Sequence, residues 1–290
     1  MVKTSEELAL MRVSGRLLAS VFEMLDAVDL AGMSTMQIND LVERFIREDC
    51  VARPASKGQY GYQYVLNCSI NEVVCHGVPS DDVIVRDGDI INLDITLEKD
   101  GFIADSSKTY LVGDVSPQGR RIARIAQEAM WAGIRAVRPG AHLGDVGFAI
   151  EKHAKANNCT VVREYCGHGI GCEMHEEPQV LNHGRPGRGL RLREGMTFTI
   201  EPMVNLGRAA TVTRGEDIEF RGLHLDREDA MALHDVIEVG AFGIKHIGGI
   251  DAAGMGGDAF GLSRLEGLAK QIEVRGWRKI DLLEEPERGR

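Results

Sequence analysis

The feature that most constrains this chain is an internal repeat. Residues 87–94, which read DGDIINLD, align with residues 194–201, which read EGMTFTIE, at an offset of 107 positions. Both segments place a glycine after the first acid and a second acid seven residues after the first. Upstream, residues 28–42 align with residues 136–150 at an offset of 108. Because two separate segments agree on nearly the same register, we interpret the chain as a duplication.

A duplication with this pattern predicts an α+β fold. We expect two related halves whose antiparallel strands meet in a single sheet backed by helices. The last acid of each repeat is Asp94 in the first half and Glu201 in the second. These two carboxylates are therefore expected to face each other across a pseudo-twofold axis.

The spacing of apolar residues predicts where the helices and strands lie. Apolar residues recur at intervals of three and four over several segments, which is the period of an amphipathic helix. Ser34 precedes one of these segments, where its hydroxyl can accept a hydrogen bond from the first free backbone N–H groups. The predicted helices span residues 5–25, 34–46, 118–137 and 143–157, and the predicted strands lie within residues 89–110, 160–164, 196–206 and 236–239.

The pair Asp100-Gly101 lies between two apolar runs and predicts a two-residue β-hairpin turn. In that register Asp94 lies opposite Ser107, and Asp105 becomes its diagonal neighbour on the same face. Such neighbours are about 7–8 Å apart, close enough to share an ion. Two carboxylates buried among apolar neighbours need a proton or a cation to compensate them. The alternative is that both are solvated on an exposed face of the sheet.

Three further candidates for chemistry lie in the second half. Glu201 follows the run TFTI, His168 lies in the glycine-rich stretch CGHGIG, and His175 lies in MHEEP. The flanking glycines are expected to leave the His168 imidazole open to a bulky group or an ion, and the spacing of a dinucleotide-binding turn is absent. Carboxylates with one imidazole suit a paired site of Mn, Fe, Co or Zn, where a shared water becomes hydroxide. The sequence thus indicates a hydrolase.

Charge and cysteine content argue against several classes of protein. The net charge of −10 repels phosphate backbones, so specific nucleic acid binding is not expected. The six cysteines form no CxxC pair, which is typical of a reducing compartment. Charged residues interrupt the beginning of the chain and no apolar stretch reaches about 18 residues, so neither a signal peptide nor a membrane span is expected. These features together predict a cytoplasmic protein.

Several strings of the sequence resemble one enzyme family. They are VKTSEELALMRVSGRL, VVCHG, NLDITLEKDGFIADSSKTY, EYCGHGIG, MHEEPQVL and TFTIEPMVN, and their order and spacing are similar to those of type I methionine aminopeptidases. The resemblance spans residues 2–204. It implies the duplicated α+β "pita-bread" fold, two divalent metal ions, and removal of the N-terminal initiator methionine when the second residue is small. It also implies that the enzyme is a monomer and that its partners are the N-termini of nascent polypeptides at the ribosome.

The resemblance also assigns roles to individual residues by their place in the matched strings. The metal ligands that it implies are Asp94, Asp105, His168 and Glu201. Two histidines that are not ligands but contact the substrate and assist catalysis are matched by His76 and His175. Positions that line the methionine pocket are matched by Tyr62, Cys75 and Met174.

The last third of the chain departs from the family pattern. The family places a fifth ligand, a glutamate, in a late strand. In residues 232–239 the aliphatic pattern puts His234 at that place, and Glu238 shares its strand face at an even spacing. The fifth ligand therefore stays open between these two residues. We expect a metallopeptidase domain over residues 1–247, followed over residues 248–290 by a glycine-rich linker and a helix without an assigned function.

Two other functions stay open at the level of sequence. A proline-directed exopeptidase of the same fold would share the Gly-His-Gly and His-Glu-x-Pro signatures, but such enzymes usually carry a further N-terminal domain, for which this chain leaves no room. A metal-free binding protein of the same fold would explain the absent fifth glutamate, but it has no physical reason to keep buried acids together. The metal content of the purified protein distinguishes that binding protein from an enzyme.

Overall fold

The computed structural model describes residues 2–214, 217–220, 232–234 and 237–238. The predicted linker and helix over residues 248–290 lie outside these ranges. The helices within them are α1 (Ser5–Asp26), α2 (Thr35–Glu48), α3 (Pro117–Ala136) and α4 (Leu143–Ala156), with a short 3₁₀ helix at Gln59–Gly61. The strands are β1 (Arg53–Pro54), β2 (Leu66–Ile70), β3 (Val73–Cys75), β4 (Ile90–Lys99), β5 (Phe102–Leu111), β6 (Thr160–Val161), β7 (Gly167–Gly169), β8 (Glu176–Val180), β9 (Thr199–Ile200), β10 (Met203–Asn205), β11 (Thr211–Arg214), β12 (Asp217–Phe220), β13 (Ala232–His234) and β14 (Ile237–Glu238).

The helices begin where the sequence supplies acceptors for their first free N–H groups. At the start of α1 the Thr4 side chain accepts a hydrogen bond from the backbone of Glu7, whose carboxylate accepts one from the backbone of Thr4. Ser34 caps α2 in the same way, and Ser116 accepts a hydrogen bond at the start of α3. The four predicted helices are confirmed, with ends that differ from the prediction by two residues at most.

The predicted meeting of the two halves in one antiparallel sheet is also confirmed. Among the described residues the largest sheet has six strands, in the order β1-β4-β5-β14-β9, with β2 paired to β4. Strands β4 and β5 come from the first half of the repeat, and β9 comes from the second. Strand β14 lies between β5 and β9. Shorter strands form separate sheets, which are β13-β10-β6, β11-β12-β3 and β7-β8.

The hairpin of β4 and β5 has the register that its turn predicts. Asp100 and Gly101 have φ angles of 52° and 82°, the left-handed pair that a type I′ turn requires. Asp94 pairs with Ser107. Asp105 is two residues from that partner and therefore lies diagonally from Asp94 on the same face of the sheet.

The strand predicted over residues 196–206 is interrupted in the structure. Strand β9 ends at Ile200, and the chain resumes as β10 at Met203 in a different sheet. Pro202 lies between them and has no N–H to donate to a sheet ladder. The interruption leaves Glu201 where the chain leaves the large sheet. The strand predicted over residues 160–164 is likewise shorter, since β6 has two residues.

Each half of the duplicated chain has its own cluster of buried apolar side chains. In the first, residues of α1 and α2, among them Phe22 and Ile38, are buried with Leu93 of β4. In the second, residues of α3 and α4 are buried with Phe198 and Ile200 beside Glu201. Burial of these side chains stabilises each half and fixes the strands that carry the acids. None of the helices in the described ranges has the length and apolar composition that a membrane crossing needs.

Candidate metal centre

Two carboxylates and one imidazole converge between the halves. One ligand atom from each of Asp105, His168 and Glu201 lies within 4.8 Å of the others. The His168 Nε2 atom is 3.4 Å from Oδ2 of Asp105 and 3.3 Å from Oε1 of Glu201. The three side chains are at most 12% exposed. The predicted convergence of these three residues is therefore what the structure contains, and the solvated alternative is wrong for Asp105.

The glycines around His168 have a different role from the one expected. A Cβ on Gly167 would lie 2.6 Å from the carbonyl oxygen of Thr199, and one on Gly169 would lie 2.1 Å from the carbonyl oxygen of Glu177. The glycines thus allow the backbones of neighbouring strands to approach β7 closely. They position the imidazole by packing, whereas the sequence suggested that they leave it uncovered.

Thr199 connects the histidine to the glutamate. Its Oγ1 atom accepts a hydrogen bond of 2.9 Å from the backbone N–H of His168 and donates one of 2.5 Å to Oε1 of Glu201. Thr199 and Glu201 are two residues apart, as expected of residues on one face of a strand. Sequence reasoning missed this residue, and that spacing in the run TFTIE is the signal that could have found it.

The charge state of His168 follows from its neighbours. Burial alone would lower its pKa, but the hydrogen bond to Asp105 and the charges of Glu201 and Asp105 outweigh burial and raise the pKa to about 9. The Nδ1 atom is 3.0 Å from the carbonyl oxygen of Gly169, to which only an N–H can donate. This contact assigns the Nδ1 proton and turns Nε2 toward the carboxylates.

This donor set fits a divalent metal ion. Carboxylate oxygens with an imidazole nitrogen are the ligands that Mn, Fe, Co and Zn take in hydrolytic centres. A cation would replace the Nε2 proton of His168 as the positive charge that compensates Asp105 and Glu201. The cluster therefore satisfies the chemistry of a metal site without any change in the residues that form it.

Asp94 lies beside this cluster and is not part of the tight group of three. It is half-buried on β4, and its Oδ2 atom accepts a hydrogen bond of 3.4 Å from Asn67. Burial raises the pKa of the Cys75 thiol, and the negative charges of Asp94 and Glu201 raise it further. Cys75 is thus close to both carboxylates.

His175 reaches the cluster from its own loop. Its ring centroid is 4.4 Å from that of His168, with the planes at 71°. Burial lowers its pKa, and the positive charge of His168 lowers it further, although Asp105 and Glu201 act in the other direction. On its other side the His175 ring stacks against Tyr60 at 6.1 Å. Tyr60 was not predicted, and nothing in its exposed, polar sequence context signals this contact.

The other substrate residues suggested by the resemblance lie in different surroundings. His76 is exposed, has a φ of 58°, and packs edge-on against Tyr165 at 5.8 Å. Met174 is buried in an apolar cluster with Phe102 of β5. The Tyr62 hydroxyl donates to the carbonyl oxygen of Leu66 at 2.9 Å. The role of Tyr62, Cys75 and Met174 in a methionine pocket stays a prediction.

The backbone places both candidates for a fifth ligand. His234 lies in β13 and pairs with Met203 of β10. Glu238 lies in β14 and pairs with Thr199 of β9, while the preceding residue pairs with Ser106 of β5. Strand β14 therefore lies between the strand that carries Asp105 and the strand that leads to Glu201.

The duplicated fold and its buried cluster of carboxylates and imidazole define a metal-dependent hydrolase. The chain belongs to metallopeptidase family M24, whose model matches residues 9–241. It is 46% identical to a methionine aminopeptidase of Escherichia coli strain K12 over 207 residues, which are 71% of this chain and 78% of that protein. The resemblance to methionine aminopeptidases is thereby confirmed.

Solved structures agree with this assignment. The crystal structure of methionine aminopeptidase from Rickettsia prowazekii superimposes with a TM-score of 0.77 at 38% identity, and the match covers 82% of this chain and 94% of that one. A prolidase from Thermococcus sibiricus gives a TM-score of 0.64 at 20% identity, over 82% of this chain and 56% of that one. The second match shows a shared fold alone. The pita-bread fold predicted from the resemblance is confirmed.

Proposed function

We propose that this protein removes the N-terminal methionine from peptides and nascent proteins whose second residue is small. The observation that carries the proposal is the convergence of Asp105, His168 and Glu201 within 4.8 Å in a chain 46% identical to a methionine aminopeptidase. Nascent chains leaving the ribosome are the expected substrates of a monomeric enzyme in the cytoplasm.

Four side chains would hold two divalent ions, with Co, Mn, Fe and Zn as the candidates. The residues are Asp94, Asp105, His168 and Glu201. When bound, such ions supply Lewis acidity and lower the pKa of water, which makes it a nucleophile near neutral pH. Thr199 orients this site, because its hydroxyl contacts both the His168 backbone and the Glu201 carboxylate.

Glu238 is our candidate for a fifth ligand. It pairs with Thr199, which is two residues from Glu201, and its strand β14 lies next to the strand of Asp105. This backbone position supports Glu238, because its strand lies between the strand that carries Asp105 and the strand that leads to Glu201. His234 pairs with Met203 in a separate sheet and is the weaker candidate.

The two remaining histidines act on the substrate. The lowered pKa of His175 favours its neutral form, whose N–H can donate a hydrogen bond to the carbonyl oxygen as negative charge develops there. His76 follows Cys75 in the chain, is exposed, and contacts the bound peptide. Cys75, Met174 and Tyr62 line the methionine pocket, where sulfur and aromatic contacts of about 0.3–1.5 kcal/mol each favour a thioether side chain.

A peptide panel tests this function. Purified protein supplied in turn with Co, Mn, Fe and Zn should release methionine from Met-Ala and Met-Gly peptides quickly and from Met-Lys and Met-Glu peptides slowly. Cleavage of Xaa-Pro dipeptides in preference to Met-Ala peptides would establish the proline-directed alternative. Protein that binds none of the four metals and releases no methionine would be a binding protein of this fold.

A further inference from the structure

We propose that Lys3 is a positioning residue for His175, and that it acts through Glu176 in a space that Gly171 leaves open. The segment that Lys3 holds, residues 171–176, is named here the histidine loop. This inference rests on the catalytic role proposed for His175. Each of its steps uses contacts outside the metal cluster.

The backbone of Lys3 is fixed on both sides. Val2 forms an antiparallel bridge with Met196, and the Lys3 N–H donates a hydrogen bond of 2.7 Å to the carbonyl oxygen of Gly195. Thr4, the next residue, caps helix α1. Lys3 is therefore anchored to the turn that precedes the Glu201 segment and to the first helix.

The Lys3 side chain makes a partly buried ion pair with Glu176. Its Nζ atom is 2.9 Å from Oε1 and 2.6 Å from Oε2 of the carboxylate, and the two side chains are 8% and 17% exposed. The Glu176 Oε1 atom also accepts a hydrogen bond of 3.1 Å from the backbone N–H of Cys172. The carboxylate thus closes the histidine loop on itself and ties it to the N-terminal segment.

Gly171 provides the space for this ion pair. A Cβ at this position would lie 2.1 Å from Nζ and 2.4 Å from Cε of Lys3, and 2.6 Å from Oε1 of Glu176. The φ angle of Gly171 lies outside the left-handed region, so its backbone conformation is open to alanine. Because these three atoms are the ends of flexible side chains, a Cβ here would displace the ion pair and not the backbone, so Gly171 leaves room for the present contact of Lys3 with Glu176.

The histidine loop needs such a restraint because His175 is exposed on it. Only one peptide bond separates His175 from Glu176, while the His175 ring has to stay 4.4 Å from the ring of His168. The carbonyl oxygen of Gly171 accepts a hydrogen bond of 2.8 Å from Ile103, two residues before Asp105. Misplacement of a reacting group by about 1 Å can cost about 10²-fold in rate, so a looser loop lowers turnover.

Lys3→Met, Glu176→Gln and Gly171→Ala test the proposal, with Lys57→Met as the matched control. Lys57 pairs with Glu43 at 2.8 Å on the surface, and its side chain is 40% exposed. We expect each of the three variants to lower kcat for a Met-Ala peptide about tenfold, with KM within about twofold and bound metal unchanged. Hydrogen exchange of residues 171–176, measured without substrate, should quicken in all three and stay unchanged in Lys57→Met.

The outcomes separate this inference from the proposed function. If His175→Ala lowers kcat but the three variants match Lys57→Met in kcat and exchange, the positioning role is wrong and the catalytic role stands. If His175→Ala leaves kcat unchanged, the catalytic role itself is wrong. Glu176→Gln keeps the shape of the side chain, so it reports on the charge even if Lys3→Met does not fold.

Discussion

At the scale of single residues, the site contains charged side chains and an uncharged side chain that orients them. Asp105, His168 and Glu201 are mutually close and buried, and such a cluster persists only if a proton or a cation balances its negative charge. Thr199 is uncharged, but it sets the distance between two of these groups. Removal of each kind of residue should therefore have a different signature.

His175→Ala should lower kcat by about 10²–10³, or about 2.7–4 kcal/mol, with little change in KM. The reason is that its hydrogen bond to the carbonyl oxygen strengthens mainly in the transition state. Steady-state kinetics with a Met-Ala peptide and metal analysis of the same sample check this. His153→Ala, which removes a histidine of α4 that pairs with Glu128 of α3 at 3.0 Å, is the control. Loss of metal from His175→Ala would make His175 a ligand.

Thr199→Val should weaken metal binding by about 10–100-fold without unfolding the protein, because an outer-shell hydroxyl orients Glu201 and the His168 backbone. Competition with a chelator of known affinity measures the change. Thr160→Val, which removes a hydroxyl that donates to the carbonyl oxygen of Gly207, provides the control. Equal affinities in the two variants would refute the role of Thr199.

At the scale of elements, the sequence predicted those features that depend on residues near one another in the chain. The Asp100-Gly101 turn sets the register of β4 against β5, so the diagonal relation of Asp94 and Asp105 followed from the sequence. The break at Pro202 has a local cause, since proline has no N–H to donate, and the prediction of one strand over residues 196–206 did not take it into account. The close approach of strands at Gly167 and Gly169 depends on Thr199 and Glu177, which the sequence alone does not place beside them.

The Lys3 contact with Glu176 also predicts how stability depends on pH. Burial alone would raise the pKa of Glu176, but its hydrogen bond and attraction to Lys3 outweigh burial and lower the pKa below 4.5. A carboxylate with a lowered pKa contributes stability above its unfolded pKa and loses it as the pH falls through its folded pKa. The contribution is therefore complete at pH 7 and lost below about pH 4.5.

Lys3→Met should lower the free energy of unfolding at pH 7 by about 1–3 kcal/mol, since it removes the ion-pair partner of a partly buried carboxylate. The difference from the wild-type protein should shrink as the pH falls from 7 to 4, toward and through the lowered folded-state pKa of Glu176. Urea unfolding at the two pH values measures both quantities. A difference that stays constant with pH, or that matches the one for Lys57→Met, would contradict this interpretation.

At the scale of the whole molecule, duplication explains how the site is assembled. Each half buries its own helices against its own strands, and Asp105 of the first half converges with His168 and Glu201 of the second where the halves join. The repeat at an offset of 107 pointed to Glu201, because it placed that residue in the same context as Asp94. The facing of Asp94 and Glu201 across a pseudo-twofold axis stays a prediction. A fifth ligand was not predictable, since residues 232–239 depart from the family pattern that points to the four proposed ligands.

The most direct test of this account is metal-dependent methionine release by the wild-type protein and Asp105→Asn, with Asp114→Asn as the control on an exposed carboxylate. After removal of metal by a chelator and addition of Mn or Co, the wild-type protein and Asp114→Asn should recover bound metal and release methionine from a Met-Ala peptide. Asp105→Asn should keep its helices by circular dichroism but lose metal and at least about 10²-fold in rate. Full metal content and normal methionine release in Asp105→Asn would contradict the central claim.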